Sequence, residues 1–304
     1  MIKSINPASE ELLKEYKEMS SEEVSEIIDS VHNDFVKWQG SDFKERSEKM
    51  KKAASILRNK KEDLGAIMTL EMGKPIAQSR AEVEKCAWVC DYFAENAEKF
   101  LQDEIIETDA SKSFVTFQPI GVVLAVMPWN FPFWQVFRFA APNLMAGNAG
   151  VLKHSSNVMG CALAIEDVFK EAGFPPNLFR TLVISSKKVS DAIKNKLVKA
   201  VTLTGSTAAG ISVAKAAGEL LKKTVLELGG SDPYLVLEDA DLDKAADTCV
   251  NSRLLNGGQS CIAAKRFIIV ESIYNDFEKL FVEKMKSKAI GDPFDESNNL
   301  GPQA

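Results

Sequence analysis

A chain of 304 residues supports about two domains around a substantial apolar core, which excludes a mini-protein held together by staples. Hydrophobic residues at 45% and charged residues at 26% sit near the globular average and exclude wholesale disorder and fibrous repeats. With 37 Lys+Arg against 43 Asp+Glu the net charge is −6, and without a long basic run the electrostatic footprint of a DNA or RNA binder is missing.

The first hundred residues read as helices acting as scaffold. Ser20-Ser21-Glu22-Glu23 forms a capping box, and Val24, Ile27, Ile28, Val31 and Phe35 recur behind it at helical spacing. Further helices are predicted over 43–57 and 75–100, the latter opening on Pro75, whose missing N–H costs nothing there. Cys86 and Cys90 fall one turn apart on it; the spacing fits a redox or metal pair, but packing beside Trp88 and Val89 is the preferred reading.

Beyond residue 100 the period changes. Ser113 to Gln118 alternates polar and apolar like a half-exposed strand before Pro119 stops it, and is read as an arm between subunits. Short apolar runs then alternate with helical segments: 122–127 then 132–145, 151–153 then 157–171, 182–184 then 187–196, 201–204 then 206–218, and finally 224–227. That order predicts an α/β fold with a Rossmann-type parallel sheet covered by helices. The runs are solidly apolar, as in strands buried on both faces. The most apolar one, Gly121 to Met127, is far short of the ~20 residues a bilayer requires, so no membrane partner is expected.

In open α/β sheets ligands bind outside the carboxyl ends of strands. Here the first strand runs into Trp129-Asn130, the second ends at Lys153-His154-Ser155-Ser156, the fourth at Thr204-Gly205-Ser206 and the fifth at Glu227-Leu228-Gly229. Singly, these fit a turn, a solvated end, an N-cap and a surface carboxylate. Together they place amide, ammonium, hydroxyl and carboxylate on one edge. Gly205-Ser206 opens a helix directly after a strand, offering free N–H groups to a pyrophosphate, although G-x-G-x-x-G is absent.

His32 and His154 are the only histidines, too few for a His-rich metal site, so acid–base work falls to carboxylates. The five cysteines form no disulfide framework, and the segment from Met1 to Pro7 shows no apolar signal stretch, which points to a reducing cytoplasm. Cys161 and Cys249 lie in helical patterns and read as core. Cys261 differs. It follows Gly257-Gly258 in a loop before a strand at 267–270, where a thiol is accessible and Glu227 is the leading base.

Five stretches carry a family resemblance: Pro128-Trp-Asn-Phe-Pro132, Ala146-Gly-Asn148 with Lys153, Thr204-Gly-Ser206 with Gly210, Leu226-Glu-Leu-Gly-Gly230 and Gly258-Gln-Ser-Cys261. Over essentially its whole length the chain resembles the aldehyde dehydrogenases, most similar to the succinate-semialdehyde branch. The resemblance implies that Cys261 attacks an aldehyde, that Asn130 and the Cys261 N–H hold the oxyanion, and that Glu227 activates water on the resulting thioester. It implies a nucleotide cofactor held by Trp129, Asn130, Lys153, His154, Ser155, Ser156, Gly205, Ser206 and Leu228, with no metal. Relatives preferring NAD carry Glu where Ser156 stands, so NADP is expected, with NAD possible.

Six aromatics lie between Trp129 and Phe139, walling a tunnel or packing in the core. Arg138, four residues beyond Trp134, is read as a clamp for the substrate's far carboxylate, its alternative being a structural ion pair. Ser260 is placed among the substrate contacts. The resemblance further implies a cofactor domain over 1–102 and 119–230, an oligomerisation arm over 103–118 and the start of a second α/β, catalytic domain over 231–304, in a homodimer or homotetramer. Because family members continue past Ala304, truncation with exposed apolar surface is expected, and a nucleotide-binding or structural fragment without turnover is the alternative. A cysteine hydrolase built on Cys261 and His154 is the second rival.

Overall fold

The computed structural model describes residues 1–304. It opens on an antiparallel hairpin, β1 (Ile2–Ile5) with β2 (Leu12–Tyr16). The all-helical reading of the first hundred residues therefore needs correcting. These strands lack a regular apolar alternation because the hairpin is anchored from below: Ser4, fully buried, donates to Glu71 Oε1 at 2.7 Å.

Four helices follow: α1 (Ser21–Trp38), α2 (Phe43–Asn59), α3 (Lys61–Met72) and α4 (Ile76–Phe100). The capping box on α1 is formed by Ser20 and Glu23. Cys86 and Cys90 are both buried in α4, where loss of solvation pushes their thiols well above the ordinary range. A short hairpin, β3 (Glu104–Ile105) with β4 (Phe114–Val115), stands exposed beyond α4.

The parallel sheet comprises β5 (Val122–Met127), β6 (Ala149–His154), β7 (Phe179–Thr181), β8 (Val198–Thr204) and β9 (Lys223–Glu227) in the order β7-β6-β5-β8-β9. Between them lie α5 (Trp134–Met145), α6 (Met159–Glu171), α7 (Val189–Lys194) and α8 (Thr207–Gly218). The predicted strand at 182–184 is displaced: pairing runs over 179–181, and the apolar 182–184 run is buried just past it. β5 is central, with β6 on one side and β8 on the other. The chain reverses its direction of sheet growth there, and such a switch point opens a crevice at the carboxyl ends of the two strands.

A main core of 57 buried residues runs from Ile2 to Ala217. The remainder, β10 (Pro233–Val236), α9 (Leu242–Leu254), β11 (Arg266–Ile269) and α10 (Tyr274–Lys286), gathers around a separate core of only four residues, Val236, Ala246, Cys249 and Phe277. β10 and β11 pair in parallel. The last residues fold back on the first part, where the Ile76 N–H donates to the Pro293 carbonyl at 2.8 Å. No helix is long and apolar enough to cross a membrane.

Candidate active site

Two cavities meet at Cys261. One, about 340 Å³, lies in the crevice between β5 and β8, bounded by Trp129, Asn130, Gly205, Ser206 and Leu228. The other, about 630 Å³, opens between α4, α5 and α9. Gln135, Ser260 and Cys261 line both. Cys261 is exposed, whereas the other four cysteines are buried.

The loop that presents Cys261 is built on left-handed backbone. Asn256, Gly257 and Gly258 have φ of 55°, 64° and 78°, a run that glycine and asparagine adopt most readily. Asn256 is 1% exposed and its amide donates to the Asn130 carbonyl at 2.6 Å. Asn130 Nδ2 in turn donates to the Gln259 carbonyl at 2.8 Å. Two asparagines thus staple the cysteine loop to the end of β5. Lys265 Nζ adds a third tie, donating to the Cys261 and Gly230 carbonyls at 2.7 Å each.

The strands sort the remaining side chains by face. In register across the sheet, Lys153, Val126, Leu203 and Leu226 are neighbours, and Leu228, two residues past Leu226, packs against Gly210 of α8. Lys153 therefore faces α8. It is 8% exposed, and burial pulls its ammonium below the usual lysine range. Ser206 caps α8, accepting from the Ala209 N–H at 3.2 Å, which leaves the other first-turn N–H groups of α8 toward the crevice. Ser155 bonds Asn157 Oδ1 at 2.8 Å, and Ser156 is exposed.

The opposite face, toward α5, corrects two expectations. His154 is fully buried, with Nε2 2.8 Å from the Pro132 carbonyl and Nδ1 2.9 Å from the Ser155 N–H. Nδ1 accepts there, so the proton sits on Nε2. Its imidazole is a brace under the Pro128–Pro132 turn and does not line the crevice between β5 and β8. Burial lowers its pKa to about 4, and its nitrogens are committed to the backbone, which removes the hydrolase rival.

The second correction concerns Glu227. Its carboxylate does not face the cysteine cavities; it lines a third space of about 600 Å³, with Oε2 3.7 Å from Arg138 Nη2. Arg138 Nη2 also donates to Thr204 Oγ1 at 3.1 Å. Arg138 lines both this space and the larger cysteine cavity, so its guanidinium is an ion-pair partner and a cavity wall at once. Trp134 lines the larger cavity too, and Ser260 Oγ is buried without a hydrogen-bond partner.

Several wall residues were not legible in the sequence. Glu82 of α4 accepts the Phe133 and Trp134 N–H groups at 2.9 Å each and pairs with buried Lys74. It satisfies orphan donors of α5 from another helix, a job with no local signature. Lys85, Gln135 and Lys288 line the same cavity. Of these, only Gln135 sat inside a stretch that sequence had marked.

The profile of the "Aldehyde dehydrogenase family" matches residues 1–304. The chain belongs to the aldehyde dehydrogenase family. It is 50% identical over 303 residues to a "Probable succinate-semialdehyde dehydrogenase [NADP(+)]" of Synechocystis sp., covering 100% of this chain and 67% of that protein. It is 48% identical over 306 residues to "Succinate-semialdehyde dehydrogenase [NADP(+)] 1" of Mycobacterium tuberculosis, with the same coverage. A crystal structure of succinic semialdehyde dehydrogenase from Streptococcus pyogenes in complex with NADP+ superposes with a TM-score of 0.97 at 38% identity, over 100% of this chain and 67% of that one. This aldehyde dehydrogenase chain thus spans about two thirds of the length of these relatives. The α/β fold and the family resemblance read from the sequence agree with these matches.

Proposed function

We propose that this aldehyde dehydrogenase oxidises succinate semialdehyde to the dicarboxylic acid, with NADP as the hydride acceptor. The observation that carries the reading is Cys261, an exposed thiol at the junction of two cavities on a loop stapled to Asn130.

The crevice suits a dinucleotide. First-turn N–H groups of α8 meet an anionic pyrophosphate, Leu228 and Trp129 offer apolar walls, and the Lys153 ammonium supplies charge on the same face. Exposed Ser156 presents no carboxylate to a 2′-phosphate, which favours NADP over NAD. NADP, when bound there, takes up hydride from the substrate carbon.

The chain's own groups supply the rest. The exposed Cys261 thiol gives its proton to solvent, its sulfur bonds the aldehyde carbon, and the carbonyl π pair moves onto the oxygen. The oxyanion lies beside the second Asn130 Nδ2–H and the Cys261 N–H, which makes no hydrogen bond within the chain. After oxidation the thioester is attacked by water; the C–S bond breaks, thiolate leaves and Glu227 takes the water proton. For that step Glu227 rotates away from Arg138. Arg138, reaching the cavity from the other side, is placed to pair with the far carboxylate of the substrate, beside Trp134 and Ser260.

The exposed β3–β4 hairpin, with Ile105 69% and Phe114 45% exposed, supports reading 103–118 as an arm of a homodimer or homotetramer. The two separate cores support a cofactor domain ending near residue 230 and a second domain from 231.

The test follows reduced nicotinamide by absorbance with succinate semialdehyde, for the chain and for Cys261→Ala, alongside titration of NADP and NAD by quenching of tryptophan fluorescence. Turnover lost in Cys261→Ala and a preference for NADP are expected. Tenfold better use or binding of NAD, or turnover surviving the substitution, overturns the reading.

A further inference from the structure

The larger cavity in front of Cys261 carries a surplus of positive charge once its internal pairs are set aside. Of its carboxylates, Glu82 is matched to Lys74 and Glu296 to Arg80. Arg138 leans on Thr204 and Glu227, and Lys288 donates to Asn251 Oδ1 at 2.9 Å. Lys85 makes neither a hydrogen bond nor an ion pair. Its ammonium instead sits 3.9 Å over the centroid of the Trp134 ring.

The residue that carries the ring is itself anchored through its backbone. The main-chain N–H of Trp134 is taken by Glu82, seated three residues before Lys85 on α4. α4 therefore supplies both the carboxylate that sets the start of α5 and the cation that rests on its first side chain. A cation over an indole gains about 0.5–1 kcal/mol at an exposed site, enough to orient the ammonium while leaving its three N–H donors free.

We propose that Lys85, held on the face of Trp134, is a specificity-determining residue that draws carboxylate-bearing aldehydes into the cavity that ends at Cys261. The inference rests on the reading of the substrate as a semialdehyde acid. Arg138 lies one turn beyond Trp134 on the same helix, so the wall offers two cationic positions, Lys85 in the more exposed one. An accessible ammonium raises the local concentration of an anion and speeds capture, and salt weakens the effect.

Cys261 is the only exposed cysteine, so its alkylation reports the cavity without requiring turnover or cofactor. Its thiolate displaces iodide from iodoacetate, an anion, or from iodoacetamide, a neutral isostere, forming one S–C bond and releasing one iodide. The readout is the ratio of the two second-order rate constants at Cys261 by mass spectrometry, relative to N-acetylcysteine in the same buffer. The protein ratio is expected above the reference at low salt and falling with added salt. Lys85→Met is expected to lower it roughly three- to tenfold with the iodoacetamide rate unchanged, and Lys85→Arg to keep it. A ratio unchanged in Lys85→Met overturns the role of Lys85 while leaving the carboxylate reading standing. A protein ratio no higher than the reference overturns both.

Discussion

Neighbouring residues at the end of β6 do unrelated work, because a strand turns successive side chains to opposite faces. Lys153 faces α8, and His154 is sealed beneath the turn that carries Asn130. His154 gives a pH prediction whose sign is fixed. Its pKa falls from 6.5 to about 4 in the fold, so between those values the unfolded chain binds the extra proton. Stability from this residue is complete above pH 6.5 and drains away as the pH drops toward 4, a loss on the order of 3 kcal/mol. Urea midpoints measured across that range should fall steeply in the native protein and less in His154→Gln, which keeps a donor for the Pro132 carbonyl. Parallel curves for the two proteins would refute the argument. Sequence placed His154 on the sheet edge but assigned it to the cofactor; only the register of β6 shows which way the ring points. Cys261 and Asn130 were legible because a positive-φ loop and a post-strand amide leave marks in residue type. Asn256 left the same mark, and its role as a staple emerges only when the two loops meet.

At the scale of elements, α5 is seated by a carboxylate from α4. Glu82 accepts two N–H groups at the α5 terminus and pairs with Lys74, itself 2% exposed. The partners are not equivalent. Removing Lys74 leaves Glu82 with two backbone donors and a favourable helix end. Removing the Glu82 charge leaves an ammonium whose remaining neighbour is the Phe131 ring, 4.5 Å away. Glu82→Gln is therefore expected to cost about 3–5 kcal/mol in chemical denaturation, and Lys74→Met distinctly less. Equal losses would count against this asymmetry. The sheet strands were readable as solid apolar runs, since burial on both faces removes the need for alternation. α3 was not, because Gly65 interrupts its pattern, and β10 was not, because Pro233 opens it.

At the scale of the whole molecule, stability is unevenly distributed. The main core numbers 57 residues and the second only four, with Leu235 of β10 and Ile268 of β11 65% and 51% exposed. Regions with few buried apolar contacts open at lower free energy than the global transition. Amides of α9 and α10 are expected to exchange with deuterium at least tenfold faster than those of β5 and β8, and uniform protection would contradict this. Cys261 sits on the weaker side of that divide, tied to the stronger by Asn130, Asn256 and Lys265. The order of elements was visible from composition and period. The boundary near residue 230 came from the family resemblance and not from period, and the inequality of the two cores came from neither, since it depends on how much surface each set of helices buries and not on what any residue is.

The frame of β6 also limits how this protein can change in length. Losing or gaining one residue between Ala149 and Leu152 would exchange the two side chains that follow, driving an ammonium under the Pro128–Pro132 turn and an imidazole toward α8. Substitution at those positions alters one contact, but a deletion rewires both sides of the sheet together, so the segments between strands are where a change of length does least damage.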